Sequence, residues 1–303
     1  DTDAERGTAA AEEIGAMFEP DLAVVLADPR IDGVIVTTPT SAHRDVMMAA
    51  VRAGKHIFTE KVIAATTDEA LEVIKAAEKA RIAFIVSLPR VSNGYTQAIN
   101  QMIETGVLGD VTYFRVRVGH DGALPTATYP DGWLPERFYD PVEACGGALI
   151  DLGAHPLYLS AYLAGMPVSG AAQYCYVTGR KVEDHAVVTM RYRWGALAVA
   201  EVSFIDTPGT FEIEVHGTEG IVRYAAPERV LVHRPGNARG EAAVDPIVIA
   251  EPPDLPSAFE NWVRCIQQKA WDFDNVKLAF DLTRLAEAAN RSAREGRSIG
   301  IVD

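Results

Sequence analysis

Only three of the 303 residues are cysteine, and Cys145, Cys175 and Cys265 form no Cys-x-x-Cys or Cys/His zinc spacing. A disulfide framework and a zinc module are both disfavoured, and reduced thiols in a cytoplasmic protein are the expectation. Long apolar runs are missing as well: none approaches the ~20 residues that cross a bilayer, so no membrane partner is expected. Positive charge is scarce, with 28 Lys and Arg against 42 Asp and Glu, a formal net charge of −14. That balance argues against nucleic acid and anionic lipid surfaces, which reward clustered basic residues. No Gly-x-Gly-x-x-Gly occurs anywhere in the chain.

What is present describes an ordinary globular protein, 48% hydrophobic with a mean hydropathy of +0.03. Its length suits two domains, each with its own core. The first ninety residues alternate helix and strand. Asp3 to Gly15 reads as a helix, Asp32 to Thr37 as a buried strand, and Thr40 or Ser41 as the cap of a helix ending before Gly54. A second strand runs from His56 to Thr59. Thr66 and Glu69 have capping-box spacing before a helix to Ala80, and Ala83 to Ser87 is a third strand. Such alternation means βαβ units and a parallel sheet, here a dinucleotide-binding Rossmann domain over 1–90.

The strands run into Thr37-Thr38-Pro39-Thr40, Thr59-Glu60-Lys61 and Ser87-Leu88-Pro89-Arg90. Open α/β sheets bind ligands outside the carboxyl ends of their strands, which makes these three corners candidate site walls. A dinucleotide-binding domain normally opens with a strand, a glycine turn, a helix and a second strand ending in an acid. This chain begins at the equivalent of that acid, so the first βαβ segment is expected to be missing upstream and Asp1 to face the adenosine ribose. A carboxylate there favours NAD without excluding NADP.

After Arg90 the pattern changes, and 91–303 reads as a substrate-binding and oligomerisation domain of α+β type. A helix is expected from Gln97 to Thr105 and a strand from Val111 to Val118. A loop over 119–143 follows, rich in Pro, Gly and Tyr and carrying Trp133 and Arg137, which suits a sugar or polyol. Then come Gly146-Gly147 and, four residues apart, Asp151 and His155. If that stretch is helical, both side chains share one face, the carboxylate orienting a catalytic imidazole. Pro156 predicts a kink in a helix reaching Ala164. Strands at 171–178, 184–192, 196–205, 210–216, 220–225, 229–233 and 246–250 imply a large, mainly antiparallel open sheet. Two amphipathic helices, 256–269 and 275–295, close the chain.

In order, Thr38-Pro39-Thr40-x-x-His43, Ala53-Gly54-Lys55-His56, Thr59-Glu60-Lys61 and Gly146-Gly147-x-x-x-Asp151-x-Gly153-x-His155 resemble the Gfo/Idh/MocA family, named for glucose–fructose oxidoreductase, inositol dehydrogenase and rhizopine catabolism. The resemblance runs through Glu183-Asp184 and 212–220 to the final helix pair. It implies a nicotinamide-dependent dehydrogenase acting on a secondary hydroxyl or ketone of a sugar, cyclitol or related polyol. By resemblance, Lys61, Asp151 and His155 are catalytic. Thr37, Thr38, Pro39, Thr40, His43, Glu60, Lys61 and Arg90 line the cofactor with Asp1. Lys61, Trp133, Arg137, Asp151 and His155 contact substrate, and no metal is called for. The sheet is expected to join a homodimer or homotetramer. Val62 stands where the family usually has proline, and Cys145 where a third glycine is common.

The expected chemistry is hydride transfer with NAD(H). His155 takes the hydroxyl proton during oxidation, Asp151 orients it, and Lys61 stabilises the developing charge on oxygen. Two other readings stand beside it: a redox-neutral, NAD-dependent glycosidase of the same superfamily, and a non-catalytic nucleotide sensor lacking a phosphate loop.

Overall fold

The computed structural model describes residues 1–228, 230–236 and 244–301. Two α-helices open the chain: α1 (Ala4–Ile14), capped by the Asp3 carboxylate, and α2 (Leu22–Ala27), capped by Asp21. The short α2 is absent from the sequence-based reading. Strands β1 (Gly33–Val36), β2 (His56–Thr59) and β3 (Phe84–Val86) then alternate with α3 (Thr40–Arg52) and α4 (Thr67–Ala80). The three strands form one parallel sheet in the order β1-β2-β3.

Helix α3 has no side-chain cap. Pro39 occupies the cap position, neither Thr40 nor Ser41 supplies the expected cap, and the Ser41 N–H is taken by the Glu143 carbonyl at 3.1 Å. Thr66 does cap α4, accepting from the Glu69 N–H.

A 3-10 turn (Pro89–Ser92) leads into α5 (Gly94–Glu104), which starts three residues before the expected Gln97. The cap comes from far along the chain: the Asp254 carboxylate accepts from the Gly94 N–H at 2.7 Å. An acceptor there satisfies an amide that has no partner within the helix.

The second sheet has nine strands. They are β4 (Val111–Gly119), β5 (Ser169–Cys175), β6 (His185–Arg191), β7 (Leu197–Ser203), β8 (Thr210–Gly217), β9 (Gly220–Ala226), β10 (Val230–Pro235), β11 (Ile247–Ile249) and β12 (Ile299–Gly300). Their order is β11-β10-β9-β8-β4-β7-β6-β5-β12. All described pairs are antiparallel except β4 with β7, so the sheet is mixed rather than purely antiparallel. Arg229, the expected first residue of one strand, lies outside the described residues.

One face of this sheet buries alternate residues such as Phe114, Val116, Ala198, Ala200, Ile213 and Val215. Helix α6 (Ala154–Ala164) is part of the same core through Leu157 and Tyr158. The other face carries a lattice of ion pairs: Arg115 bridges Glu201 and Glu212, and Arg117 bridges Glu201 and Asp206.

The closing helices α7 (Ala258–Gln268) and α8 (Phe273–Glu295) return to the first sheet. Trp262 and Cys265 of α7 pack on Ala83 and Ile85 of the β3 segment. Asn275 of α8 behaves like a strand partner: its amide accepts from the Val86 N–H and donates to the Val86 carbonyl, both at 2.9 Å. That satisfies the exposed edge of β3. Among the described residues no helix is long and apolar enough to cross a membrane.

Pro156 does not kink α6. The helix begins at Ala154, so the proline falls in its first turn, where a missing N–H removes no helical bond. Asp151 consequently lies in a turn ahead of the helix, and the single helical face expected for Asp151 and His155 does not form.

Asp254→Ala removes the distant cap of α5 and should lower unfolding free energy by about 1 kcal/mol. Urea denaturation measures it, with an unchanged m-value expected.

Candidate active site

The carboxyl ends of β1 and β2 open on one cavity of about 260 Å³. Its lining includes Thr37, Thr38, Pro39, Thr40, His43, Glu60, Lys61, Arg137 and Asp151. Nine of the residues singled out in the sequence are thus brought to one place. Asp1 is not among them. Its carboxylate is held by the Arg6 guanidinium at 2.8 Å and 3.0 Å, at the amino end of α1.

His43 lines this cavity, yet its ring is fully spoken for. Nδ1 lies 2.8 Å from the Val62 carbonyl and Nε2 2.9 Å from the Thr38 carbonyl. Burial holds its basicity below the ordinary histidine value, against the pull of those two carbonyls. A neutral ring has one N–H and so donates to one of these two carbonyls; either way His43 is enclosed between the β1 and β2 corners.

Lys61 crosses from the first sheet to the loop before α6. Nζ donates to the Asp151 carbonyl at 2.6 Å and to its carboxylate at 3.0 Å. The Asp151 carboxylate therefore lies on Lys61 and makes no hydrogen bond to the His155 imidazole that it was expected to orient. The Lys61–Val62 peptide is cis.

The loop that delivers Asp151 is held by Glu183. This buried carboxylate accepts from the Gly147 and Leu149 N–H groups at 3.1 Å and 3.0 Å, while the Glu183 carbonyl accepts from Ala148 at 2.9 Å. Gly147 is required by contact: a Cβ there would sit 2.3 Å from the Glu183 carbonyl oxygen.

His155 is half-buried, with Nδ1 3.0 Å from the hydroxyl of Tyr158. Burial first, and then the cations Lys61 and Arg90, push its basicity well below the usual histidine value, so the ring is neutral at neutral pH. Arg90, expected on the cofactor, turns elsewhere. Its guanidinium lies 3.8 Å over the Phe211 ring and 3.4 Å from the Tyr95 hydroxyl, while its backbone N–H donates to Tyr158.

The 119–143 loop is ordered by its own contacts. Trp133 donates to Asp121 at 2.9 Å, and Arg180 donates to the carbonyls of Ala123 and Asp131 while covering the Tyr139 ring. The imidazole of His120 stacks on Phe204 and stands 4.8 Å from the Trp133 ring, centroid to centroid. Its Nδ1 accepts from the Gly122 N–H at 3.0 Å, which assigns the proton of the neutral ring to Nε2. Burial holds its basicity below the ordinary histidine value, against the opposing pull of the nearby Asp151 carboxylate. Sequence reasoning missed both His120 and Tyr158; the i, i+3 spacing of His155 and Tyr158 at the start of α6 was the available signal. Arg137 borders both the first cavity and an adjoining open one of about 820 Å³.

Two family models match this chain: "Oxidoreductase family, NAD-binding Rossmann fold" over residues 1–88 and "GFO/IDH/MocA C-terminal domain" over residues 96–223. The chain belongs to the Gfo/Idh/MocA family. The 1,5-anhydro-D-fructose reductase of Ensifer adhaerens is 30% identical over 223 residues, 72% of this chain and 65% of that protein. The D-apiose dehydrogenase of Paraburkholderia graminis is 27% identical over 315 residues, 99% of this chain and 81% of its own length. Among solved structures, a levoglucosan dehydrogenase without ligand superposes with a TM-score of 0.83 at 20% identity, covering 100% of this chain and 88% of its own. An NAD-binding protein from Listeria innocua reaches 0.86 at 23%, covering 99% and 87%. These two likenesses show the Gfo/Idh/MocA fold, a Rossmann domain followed by a mixed-sheet domain.

Two outcomes test the geometry. Gly147→Ala forces the loop off Glu183 and should cost about 1–3 kcal/mol, read by thermal denaturation, together with most of the turnover. His155 titrates lower in the folded protein than its ordinary 6.5, so the unfolded chain binds its proton first. Stability from this group is complete above about pH 6.5 and is lost as pH falls below it. His155→Gln should therefore flatten the acid side of the stability–pH curve.

Proposed function

We propose that the protein transfers a hydride between NAD(H) and a secondary alcohol or ketone of a sugar, cyclitol or related polyol. The observation that carries this reading is the pairing of Lys61 with Asp151 in the crevice walled by Thr37 to Thr40, with His155 near enough for the Lys61 charge to act on its ring. The crevice opens at the carboxyl ends of parallel strands, where an α/β sheet holds a dinucleotide, and its hydroxyl-bearing corner fits such a ligand. The nicotinamide, when bound, supplies the hydride chemistry.

The protein supplies position and charge. An ammonium has three donors, and Asp151 takes two of those on Lys61, leaving the third for a substrate oxygen. Asp151 keeps Lys61 aimed. Among the described residues the Nε2 of His155 has no protein partner, since the ring is held through Nδ1 by Tyr158, and it is the second group offered to that oxygen. The reacting oxygen binds between these two groups, where negative charge develops on it during hydride transfer. Trp133 offers a half-exposed aromatic face, and Arg137 and the Nε2–H of His120 offer donors to the remaining hydroxyls.

Asp1 with Arg6 forms the ribose end. The carboxylate suits the 2′-hydroxyl of NAD, and the guanidinium can receive the 2′-phosphate of NADP. The charged face of the second sheet meets a copy of itself in a homodimer or homotetramer, as a large open face calls for cover.

Nicotinamide fluorescence during titration with NADH and NADPH tests the cofactor, with NADH expected to bind in the micromolar range. Lys61→Ala and Asp151→Asn should each lower kcat on the preferred polyol by about 10² or more while leaving NADH binding in place. Wild-type turnover in both would discard the assignment.

A further inference from the structure

We infer that Tyr158 fixes the tautomer of His155 so that the neutral ring carries its proton on Nε2, making His155 a hydrogen-bond donor to the substrate oxygen and leaving Lys61 as the proton carrier. This rests on the hydride-transfer reading for its consequence, but the tautomer itself rests on hydrogen-bond accounting alone. The backbone N–H of Arg90 can only donate, and it reaches the Tyr158 hydroxyl oxygen at 3.1 Å. Tyr158 is fully buried, so its phenolic proton needs an acceptor inside the protein. His155 Nδ1, at 3.0 Å, is the acceptor it has. The opposite assignment, with Nδ1 donating to the oxygen, strands the phenolic proton in an apolar interior, a disadvantage of about tenfold or more in population. Nδ1 is therefore the lone-pair nitrogen, and the hydrogen is on Nε2.

A ring in this state has no lone pair on Nε2, the nitrogen without a protein partner, and cannot take a proton there. The groups around it keep it so. Lys61 beyond β2 and Arg90 beyond β3 are both cations, Tyr158 donates from within α6, and the Asp151 carboxylate in the turn before α6 is spent on Lys61. In ketone reduction the carbonyl carbon takes a hydride from NADH, which is oxidised to NAD+. As the C=O π bond opens, the oxygen takes a proton from the Lys61 ammonium. Lys61 is left as an amine and regains a proton from water beside the part-exposed Asp151. Oxidation runs the same steps backwards. His155 holds the oxygen through Nε2–H in both directions and neither gains nor loses a proton. Tyr158 touches no reacting atom and is a positioning residue.

Long-range proton–nitrogen NMR on histidine-labelled protein tests this, with the His155 signals among the seven histidines assigned by their loss in His155→Gln. The wild type should show the neutral, Nε2-protonated pattern throughout the neutral pH range, with or without NADH. Tyr158→Phe should give a mixture of tautomers and a kcat lowered about tenfold, with KM within about twofold. A wild-type ring protonated on Nδ1, or an imidazolium at neutral pH, overturns the inference, and this spectrum decides even where Tyr158→Phe does not fold. Full turnover in Lys61→Ala overturns the proton assignment to that residue. An Nε2–H ring in a protein with no NAD(P)H-linked turnover on any polyol supports the tautomer and removes the redox reading instead.

Discussion

One ammonium and one carboxylate hold the candidate site together. Lys61 belongs to the end of β2 and Asp151 to the loop before α6, 90 residues apart in the chain, and they meet at 3.0 Å. The pair is sheltered without being sealed, with side chains 11% and 27% exposed. A fully buried pair would carry a desolvation cost that its attraction does not reliably offset, while an exposed one would contribute little and hold no geometry. The additional bond from Nζ to the Asp151 carbonyl makes the contact specific to one arrangement of the backbone. Glu183 supports one side of it and His43 the other, so each half of the contact is held by its own buried polar group.

Much of the fold was legible because it is written in local pattern. Apart from β12, which the sequence pattern did not place, the strands of both sheets end within about three residues of where alternation and turn residues place them, since period-2 burial is a property of the strand itself. What escaped depends on groups distant in sequence. Helix α5 starts at Gly94 because a carboxylate 160 residues away caps it. The kink expected at Pro156 vanished once the helix began at Ala154, a start set by the Glu183-bound loop rather than by a local cap. The parallel pairing of β4 with β7 inside an otherwise antiparallel sheet has no signature in either strand alone.

The candidate site divides in the same way. The motif residues at the corners of β1 and β2 do gather in one cavity. Arg90, taken from the third corner by the same logic, leaves the group because the Phe211 face and the Tyr95 hydroxyl compete for its guanidinium. Residue type and position picked out Lys61, Asp151 and His155. Which partner each one touches was decided by packing, and so the contacts of Asp151 and His155 differ from those that a simple acid–imidazole spacing predicts. His120 was invisible because its place in the site is set by the Phe204 ring beneath it and the Gly122 amide beside it, neither of which announces a function in sequence.

The central position of β4 has a consequence for how the protein assembles. Between β4 and its parallel neighbour β7 the chain travels through the 119–143 loop, the Gly146-Gly147 turn, α6 and a two-strand meander before coming back. His120, Trp133, Arg137, Asp151 and His155 all lie on that excursion. Parallel neighbours can pair only after the whole intervening segment has found its place, and contacts of such sequence separation form slowly. Helices and hairpins can therefore be in place while the site is still unformed. Loosening of the excursion alone would scatter these five residues while leaving most of the secondary structure in place.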